Sequence, residues 1–145
     1  MLDKRNYLVS EIRFMKKRVM IFDDDADILE VCTIVLEESG FEVQGQLNCE
    51  RMQDKIAHFD PHVVLIDNRI PPEGGIIASR EIRATERYKT LPIVFFSANK
   101  NVATMARDAT ADFFLEKPFD VDTLSHLIQK AALSGQVESD MHSSL

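Results

Sequence analysis

The stretch that decides the fold is "VVLIDNRIPPEGG", residues 63–75, in which four apolar residues run directly into an aspartate. Three of these four residues are β-branched, a composition typical of a strand that is buried on both faces. Asp67 then stands at the carboxyl end of the strand, which is where open α/β sheets bind their ligands. The structural alternative is an aspartate that opens a turn by bonding its own backbone. The stretch therefore predicts a parallel sheet and a candidate functional carboxylate.

Strand and helix patterns alternate on both sides of this stretch. Apolar runs predict strands at 18–22, 41–47, 62–66, 92–97 and 112–116. Helical patterns occupy 27–40, 49–58, 75–88 and 99–109, and a last helix begins near Asp120. In the third helix, Ile77, Ala78 and Ile82 are expected to face inward. Five such units with right-handed crossovers predict an α/β fold, a doubly wound five-stranded parallel sheet with helices on both faces.

The composition excludes several classes of protein. A chain of 145 residues with 45% hydrophobic content fits one globular domain. The formal charge of −7 argues against the whole surface acting as a nucleic-acid footprint, although it does not exclude a small local basic patch, and no direct nucleic-acid partner is expected. No apolar stretch approaches the roughly 18 residues of a membrane span, and the N-terminus has no signal-peptide core. Cys32 and Cys49 form no CxxC pair, and Cys32 on an apolar helical stripe predicts a buried thiol. The expected location is cytoplasmic, without membrane insertion.

The chain divides into three segments by pattern. Residues 1–15 precede the first strand pattern and are interpreted as an N-terminal extension, and residues 16–133 form the domain. The segment 134–145 is polar and Ser-rich without periodicity, which predicts a disordered tail.

Polar residues collect at the carboxyl ends of the predicted strands. Asp23 and Asp24 follow the first strand, Asp67 the third, Ser97 ends the fourth and Lys117 follows the fifth. Clustered carboxylates repel one another and need a cation to stay ionised, and oxygen-only ligands suit Mg²⁺. A lysine and a hydroxyl at the same edge supply a positive charge and a hydrogen-bond donor for a phosphoryl group. Asp67 is the carboxylate best placed to act as the nucleophile.

Each of these residues also has a structural interpretation. The run "DDDAD" could place negative charge at a helix N-terminus, where the helix dipole favours it; this applies best to Asp25 and Asp27. Ser97 could cap a loop, and Lys117 could be surface charge before a proline. Their joint placement at the ends of four strands favours the functional interpretation.

At this point the sequence resembles the receiver domain of bacterial two-component response regulators, from about Lys16 to Leu133. The resemblance is carried by "VMIFDDDADIL", "VVLIDNRIPPEGG", "PIVFFSA" and "DFFLEKPFD". It implies a flavodoxin-like receiver fold. It also implies a metal site, with Asp23 and Asp24 as the acidic pair for Mg²⁺, Asp67 as phosphoacceptor and metal ligand, and the Arg69 backbone carbonyl as a further ligand. The remaining implied roles are Ser97 as the hydroxyl that turns toward the phosphoryl group, Lys117 as the ion-pair partner of that group, Pro118 as a cis-proline and Phe114 as the aromatic switch residue.

The resemblance also implies a function. A sensor histidine kinase or a histidine phosphotransfer protein would donate a phosphoryl group to Asp67, and the changed surface would bind a downstream protein target. Such a domain is not an enzyme, although it assists its own phosphorylation and dephosphorylation. A homodimer formed on phosphorylation is left open.

Three positions depart from the family pattern, namely Ala26, Gly74 and Thr110; Thr110 stands where glycine is frequent. Two other functions remain as alternatives. A pseudo-receiver would keep the fold and bind partners without phosphate. A phosphohydrolase of the haloacid-dehalogenase type is suggested by the start of "FDDDADI", but Asp27 occupies the place where that family has Thr or Val.

Overall fold

The computed structural model describes the backbone of residues 16–143 and the side chains of residues 16–135. The strands are β1 (Arg18–Phe22), β2 (Glu42–Gln46), β3 (Val63–Asp67), β4 (Ile93–Ser97) and β5 (Phe113–Glu116). The helices are α1 (Ala26–Glu38), α2 (Met52–Phe59), α3 (Gly75–Ala84), α4 (Val102–Asp108) and α5 (Val121–Ser143), with a short 3-10 helix (Glu86–Tyr88) after α3.

The strands form one parallel sheet in the order β2-β1-β3-β4-β5. All residues of β3 and β4 are buried, because helices cover both faces of the central strands. Alternate side chains enter two separate cores, so that Phe95 packs on one face of the sheet and Phe96 on the other. The predicted doubly wound α/β fold is confirmed. β1 has β2 on one side and β3 on the other, which opens a crevice at the carboxyl ends of β1 and β3.

The start of α1 is fixed by its own acidic sequence. Asp25 is the N-cap, and its side chain accepts hydrogen bonds from the amides of Asp27 and Ile28. Gly40, at φ +96°, follows the end of the helix in the left-handed conformation that glycine adopts most readily. The capping interpretation therefore holds for Asp25, which leaves Asp23 and Asp24 in the turn between β1 and α1.

The prediction for the third helix was wrong in two respects. α3 ends at Ala84, where the extended backbone of Thr85 separates it from the 3-10 helix. Ile77 is 43% exposed, and the buried face carries Gly75, Ala78, Ser79 and Ile82. These buried residues recur at helical spacing from Gly75, and a step of about 100° per residue turns Ile77 away from them.

The last helix is longer than predicted. Its backbone continues to Ser143 and so enters the segment 134–145, for which disorder was predicted from polar composition. No proline interrupts this segment, so its composition does not prevent a helix.

Residues 1–15 lie outside the described part of the chain, and the domain boundaries remain predictions. No helix in the described part is long and apolar enough to cross a membrane.

Thr110, the residue that replaces a frequent glycine, has a left-handed backbone with φ +60°. This conformation is unfavourable for a β-branched residue. Its carbonyl accepts hydrogen bonds from Nε and Nη2 of Arg83, at 3.3 and 3.1 Å, and Nη2 also contacts Asp112 Oδ2 at 2.8 Å. The guanidinium thus holds the connection between α4 and β5 in its strained conformation.

Both cysteines are free thiols. Burial raises the pKa of Cys32 to about 12 and that of Cys49 to about 11. Because the thiolate is the reactive form, neither is activated for redox chemistry, and the predicted buried thiol at Cys32 is confirmed.

Candidate functional site

Three aspartates meet at the carboxyl ends of β1 and β3. One carboxylate oxygen each from Asp23, Asp24 and Asp67 lies within 4.8 Å of the others. The strands pair in register up to Phe22 and Ile66, which places the residues that follow them side by side. Asp23 and Asp67 are only 1% and 5% exposed, whereas Asp24 is exposed. The cluster is therefore buried on the sheet side and open on the solvent side.

Lys117 joins the two buried carboxylates. Its Nζ donates to Asp23 Oδ2 at 2.8 Å and to Asp67 Oδ1 at 2.9 Å. The lysine arrives from the connection after β5, where the amide of Lys117 donates to the carbonyl of Ser97 and the Lys117–Pro118 bond is cis, as the resemblance implies. The structure thus brings together residues that are 94 and 50 positions apart in the sequence.

The remaining oxygen of each buried carboxylate is held by the backbone. Asp67 Oδ2 accepts from the amide of Arg69 at 2.9 Å, and Asp23 Oδ1 accepts from the amide of Asp25 at 2.8 Å. These bonds fix both carboxylates in orientation. Asp67 therefore presents a rigid carboxylate at the floor of the site.

Ser97 completes the site from the end of β4. It is 4% exposed, and its Oγ accepts a hydrogen bond from the amide of Asn99 at 3.0 Å. A cleft of about 320 Å³ opens above these groups, lined by Asp23, Asp24, Asp25, Asp67, Asn68, Arg69, Ser97, Ala98, Asn99 and Lys117. Of the site residues that the resemblance implies, Phe114 and Pro118 do not line this cleft, and the others do: Asp23, Asp24, Asp67, Arg69, Ser97 and Lys117.

The cluster carries more negative than positive charge. Burial raises the pKa of Asp23 above its usual value, against the opposing effects of the Lys117 ammonium and the Asp25 amide. Burial alone would lower the pKa of Lys117, but its hydrogen bonds to Asp23 and Asp67 outweigh burial and raise it. Three carboxylates around one ammonium leave a charge that a hard divalent cation could neutralise. Since the three grouped side chains offer oxygen only, this donor set fits Mg²⁺ better than zinc.

Phe114 is not part of the cleft. It lies on β5 beside Phe95 of β4, and it is 50% exposed. The structure therefore places the predicted switch residue on the surface next to the site, and its role remains a prediction.

Two residues near the site were missed in the sequence. Gly75 approaches Asp67 so closely that a Cβ there would lie 2.4 Å from its carbonyl oxygen. The pair of glycines after the loop was the available signal in the sequence. Phe96 lies beneath Lys117, with Nζ 4.2 Å from the centroid of its ring. No sequence pattern indicates this contact, because it depends on the path of the chain after β5.

Comparisons with known proteins agree with this geometry. The family model described as "Response regulator receiver domain" matches residues 19–129. Response regulator Rre1 of a Synechocystis strain is 29% identical over 125 residues, which cover 84% of this chain and 54% of that protein. The CAI-1 autoinducer sensor kinase/phosphatase CqsS of Vibrio cholerae is 29% identical over 123 residues, covering 83% of this chain and 18% of that protein. The chain thus spans about half of one relative and under a fifth of the other.

Solved structures share the fold. The chemotaxis response regulator CheY4 of Vibrio cholerae has a TM-score of 0.75 at 22% sequence identity, and the match covers 81% of this chain and 99% of that one.

Proposed function

Because the chain belongs to the response regulator receiver domain family of two-component signalling, we propose that it is a phosphorylation-dependent switch whose acceptor is Asp67. One observation carries this proposal, namely that the Lys117 ammonium contacts Asp67 in a cleft that Ser97 also lines. This constellation provides a nucleophile, a positive charge and a hydroxyl around the space that a phosphoryl group would occupy.

In the proposed transfer, a carboxylate oxygen of Asp67 attacks the phosphorus of a phosphohistidine on a partner protein. A phosphorus–oxygen bond forms, the phosphorus–nitrogen bond breaks, and the imidazole leaves. Arg69 orients the Asp67 carboxylate through its amide, and Lys117 offsets the charge on the phosphoryl oxygens. The chain is thus an acceptor that assists its own phosphorylation and dephosphorylation, and not an enzyme acting on a separate substrate.

Mg²⁺ is the proposed cofactor. Asp23, Asp24, Asp67 and the backbone carbonyl of Arg69 would hold it, and the ion would neutralise negative charge on the transferred group. The tight cluster of carboxylate oxygens with its exposed member, Asp24, supports this assignment, because Mg²⁺ keeps several waters and needs an open side.

The proposed switch follows from the added charge. An aspartyl phosphate brings close to two negative charges, and these would attract Lys117 and the hydroxyl of Ser97. Phe114 on the adjacent strand would then move inward into the space that Ser97 leaves. The surface of β4, β5 and α5 would change and bind a downstream protein target. The donor would be a sensor histidine kinase or a phosphotransfer protein in the cytoplasm; a phosphorylation-dependent homodimer stays open.

Intact mass spectrometry tests this proposal. The protein is incubated with acetyl phosphate, with and without Mg²⁺, beside the variants Asp67→Asn and Asp27→Asn. Asp27 is a matched control, since it is an exposed aspartate in the first turn of α1. One phosphoryl adduct that requires Mg²⁺, persists in the control and disappears in Asp67→Asn is expected. Absence of an adduct on the folded wild type with several donors would refute the proposal and favour a pseudo-receiver.

A further inference from the structure

Phe96 forms a fully buried aromatic floor under the lysine of the site. It is in register with Asp67 on β3 and with Leu115 on β5, so it lies between the acceptor strand and the strand that leads to Lys117. Its ring packs against Phe119, which follows the cis-proline, with centroids 6.4 Å apart and ring planes tilted by 52°. The ring has no exposed surface, so it is enclosed by close-packed neighbours.

The ammonium of Lys117 lies over the face of this ring. The distance from Nζ to the Phe96 centroid is 4.2 Å, which is within the range of about 6 Å for a cation–π contact. The other cation–π pairs in the described part of the chain are longer, at 5.5 Å for Arg87 over Tyr88 and 5.9 Å for Lys130 over Phe113. The side chain of Lys117 is only 18% exposed, and partial removal of water strengthens such a contact.

We propose that Phe96 is a positioning residue, whose ring face, together with the Asp23 carboxylate, keeps the Lys117 ammonium at the acceptor while its oxygen partner on Asp67 changes. The inference rests on the proposed function of Asp67. In the proposed reaction Asp67 becomes an acyl phosphate, and the anionic oxygen that Lys117 now contacts loses its charge. One of the two contacts of the ammonium must then pass from Asp67 Oδ1 to a phosphoryl oxygen, while the contact with Asp23 Oδ2 is not altered by the bond changes. The ring takes no part in the bond changes, so its attraction for the ammonium persists throughout the exchange.

A purely structural role for Phe96 predicts a different dependence. If the ring only filled space, then only its volume and shape would affect the rate, and its electron density would have no influence. Fluorine withdraws electron density from the ring face with little change in shape. A series of phenylalanines with one, two and three ring fluorines at position 96 therefore separates the two roles.

The experiment measures the rate of adduct formation with acetyl phosphate for this fluorine series. Phe95 is the matched control, because it precedes Phe96 on β4, is equally buried and packs on the opposite face of the sheet. The rate is expected to fall stepwise with fluorination at position 96, by roughly three- to thirtyfold overall, and to change less than about twofold at position 95.

A second measurement tests the contact without any phosphodonor. Protons above an aromatic ring are shielded, so the ε-methylene resonances of Lys117 should be shifted upfield in the wild type. This shift should disappear in Phe96→Leu and persist in Phe95→Leu. An unshifted wild-type resonance would overturn the inference, as would a rate that is independent of fluorination at position 96 while the wild type forms the adduct. Absence of an adduct on the wild type would instead overturn the proposed function, and with it the role of the ring.

Discussion

Replacement of Gly75 by alanine should disturb β3, the strand that ends in the proposed acceptor Asp67. The added Cβ would lie 2.4 Å from the carbonyl oxygen of Asp67, about 1 Å short of ordinary van der Waals contact, which begins near 3.4 Å. It would also lie 3.0 Å from Cε2 of Phe95, a fully buried side chain. One of these contacts is with the backbone and the other is with a core side chain. The added methyl group therefore fits only if the Asp67 peptide or the start of α3 moves.

The expected loss of stability is about 1–3 kcal/mol, the usual effect of overpacking a core. Alanine offsets part of this loss, but by less than the difference of about 1 kcal/mol between alanine and glycine in a helix interior, because Gly75 is the first residue of α3. A displacement of the proposed acceptor, Asp67, by roughly 1 Å should slow phosphorylation by up to about 100-fold, because transfer needs the carboxylate in a narrow range of positions. Urea unfolding and the rate of adduct formation measure the two effects separately.

Gly45→Ala is the matched control. Gly45 lies in β2, and the nearest atom to its added Cβ is a terminal methyl of Leu29 at 3.2 Å, which can rotate away. This variant should be as stable as the wild type or more stable by about 0.5–1 kcal/mol, with an unchanged rate. Wild-type stability and rate in Gly75→Ala would show that the close approach to Asp67 is unimportant.

Three further predictions concern stability. Thr110→Gly should stabilise the fold by about 1 kcal/mol in thermal unfolding, because glycine relieves the strain of the left-handed backbone. Thr85→Gly, at a residue with φ −81°, is the control and should destabilise the fold. A loss of stability in Thr110→Gly would contradict the strain at this position. His62 Nδ1 accepts the Arg18 amide, and burial with two nearby cations lowers its pKa. The contribution of neutral His62 to the stability of the fold should therefore be complete above about pH 6.5, the pKa of the unfolded chain. It should vanish as the pH falls through the pKa of His62 in the folded state, which is lower. His62→Asn, whose oxygen can still accept, should lose that dependence in urea unfolding at pH 4.5–7.5, and an unchanged curve would refute this. For Asp23, burial raises the pKa in the folded state above its value in the unfolded chain. Protonated Asp23 therefore contributes to stability at low pH, and this contribution is lost as the pH rises through the folded pKa. Asp23→Asn should stabilise the metal-free protein at pH 7 and weaken Mg²⁺ binding in titration calorimetry; destabilisation would show that its ion pair outweighs burial.

The predictable part of the fold rests on strong local patterns. The buried strands β3 and β4 are continuous apolar runs, and the N-cap at Asp25 is a local hydrogen-bonding motif, so both could be predicted from neighbouring residues alone. The buried face of α3 was harder to predict, because it depends on which residue of the helix packs against β3. The close approach of Gly75 to the Asp67 carbonyl fixes that residue. The backbone of the last helix also continues where polar composition predicted disorder.

The sequence by itself determined the order of strands and helices and the residue types at the strand ends, because these depend on periodicity and on neighbours along the chain. It also placed Asp23, Asp67, Ser97 and Lys117 at one edge, since the carboxyl ends of parallel strands share an edge. Only the tertiary structure decided the contacts between side chains from different strands. The ion pairs of Lys117 and the ring of Phe96 beneath it depend on how the connection after β5 returns across β4, which no local pattern encodes.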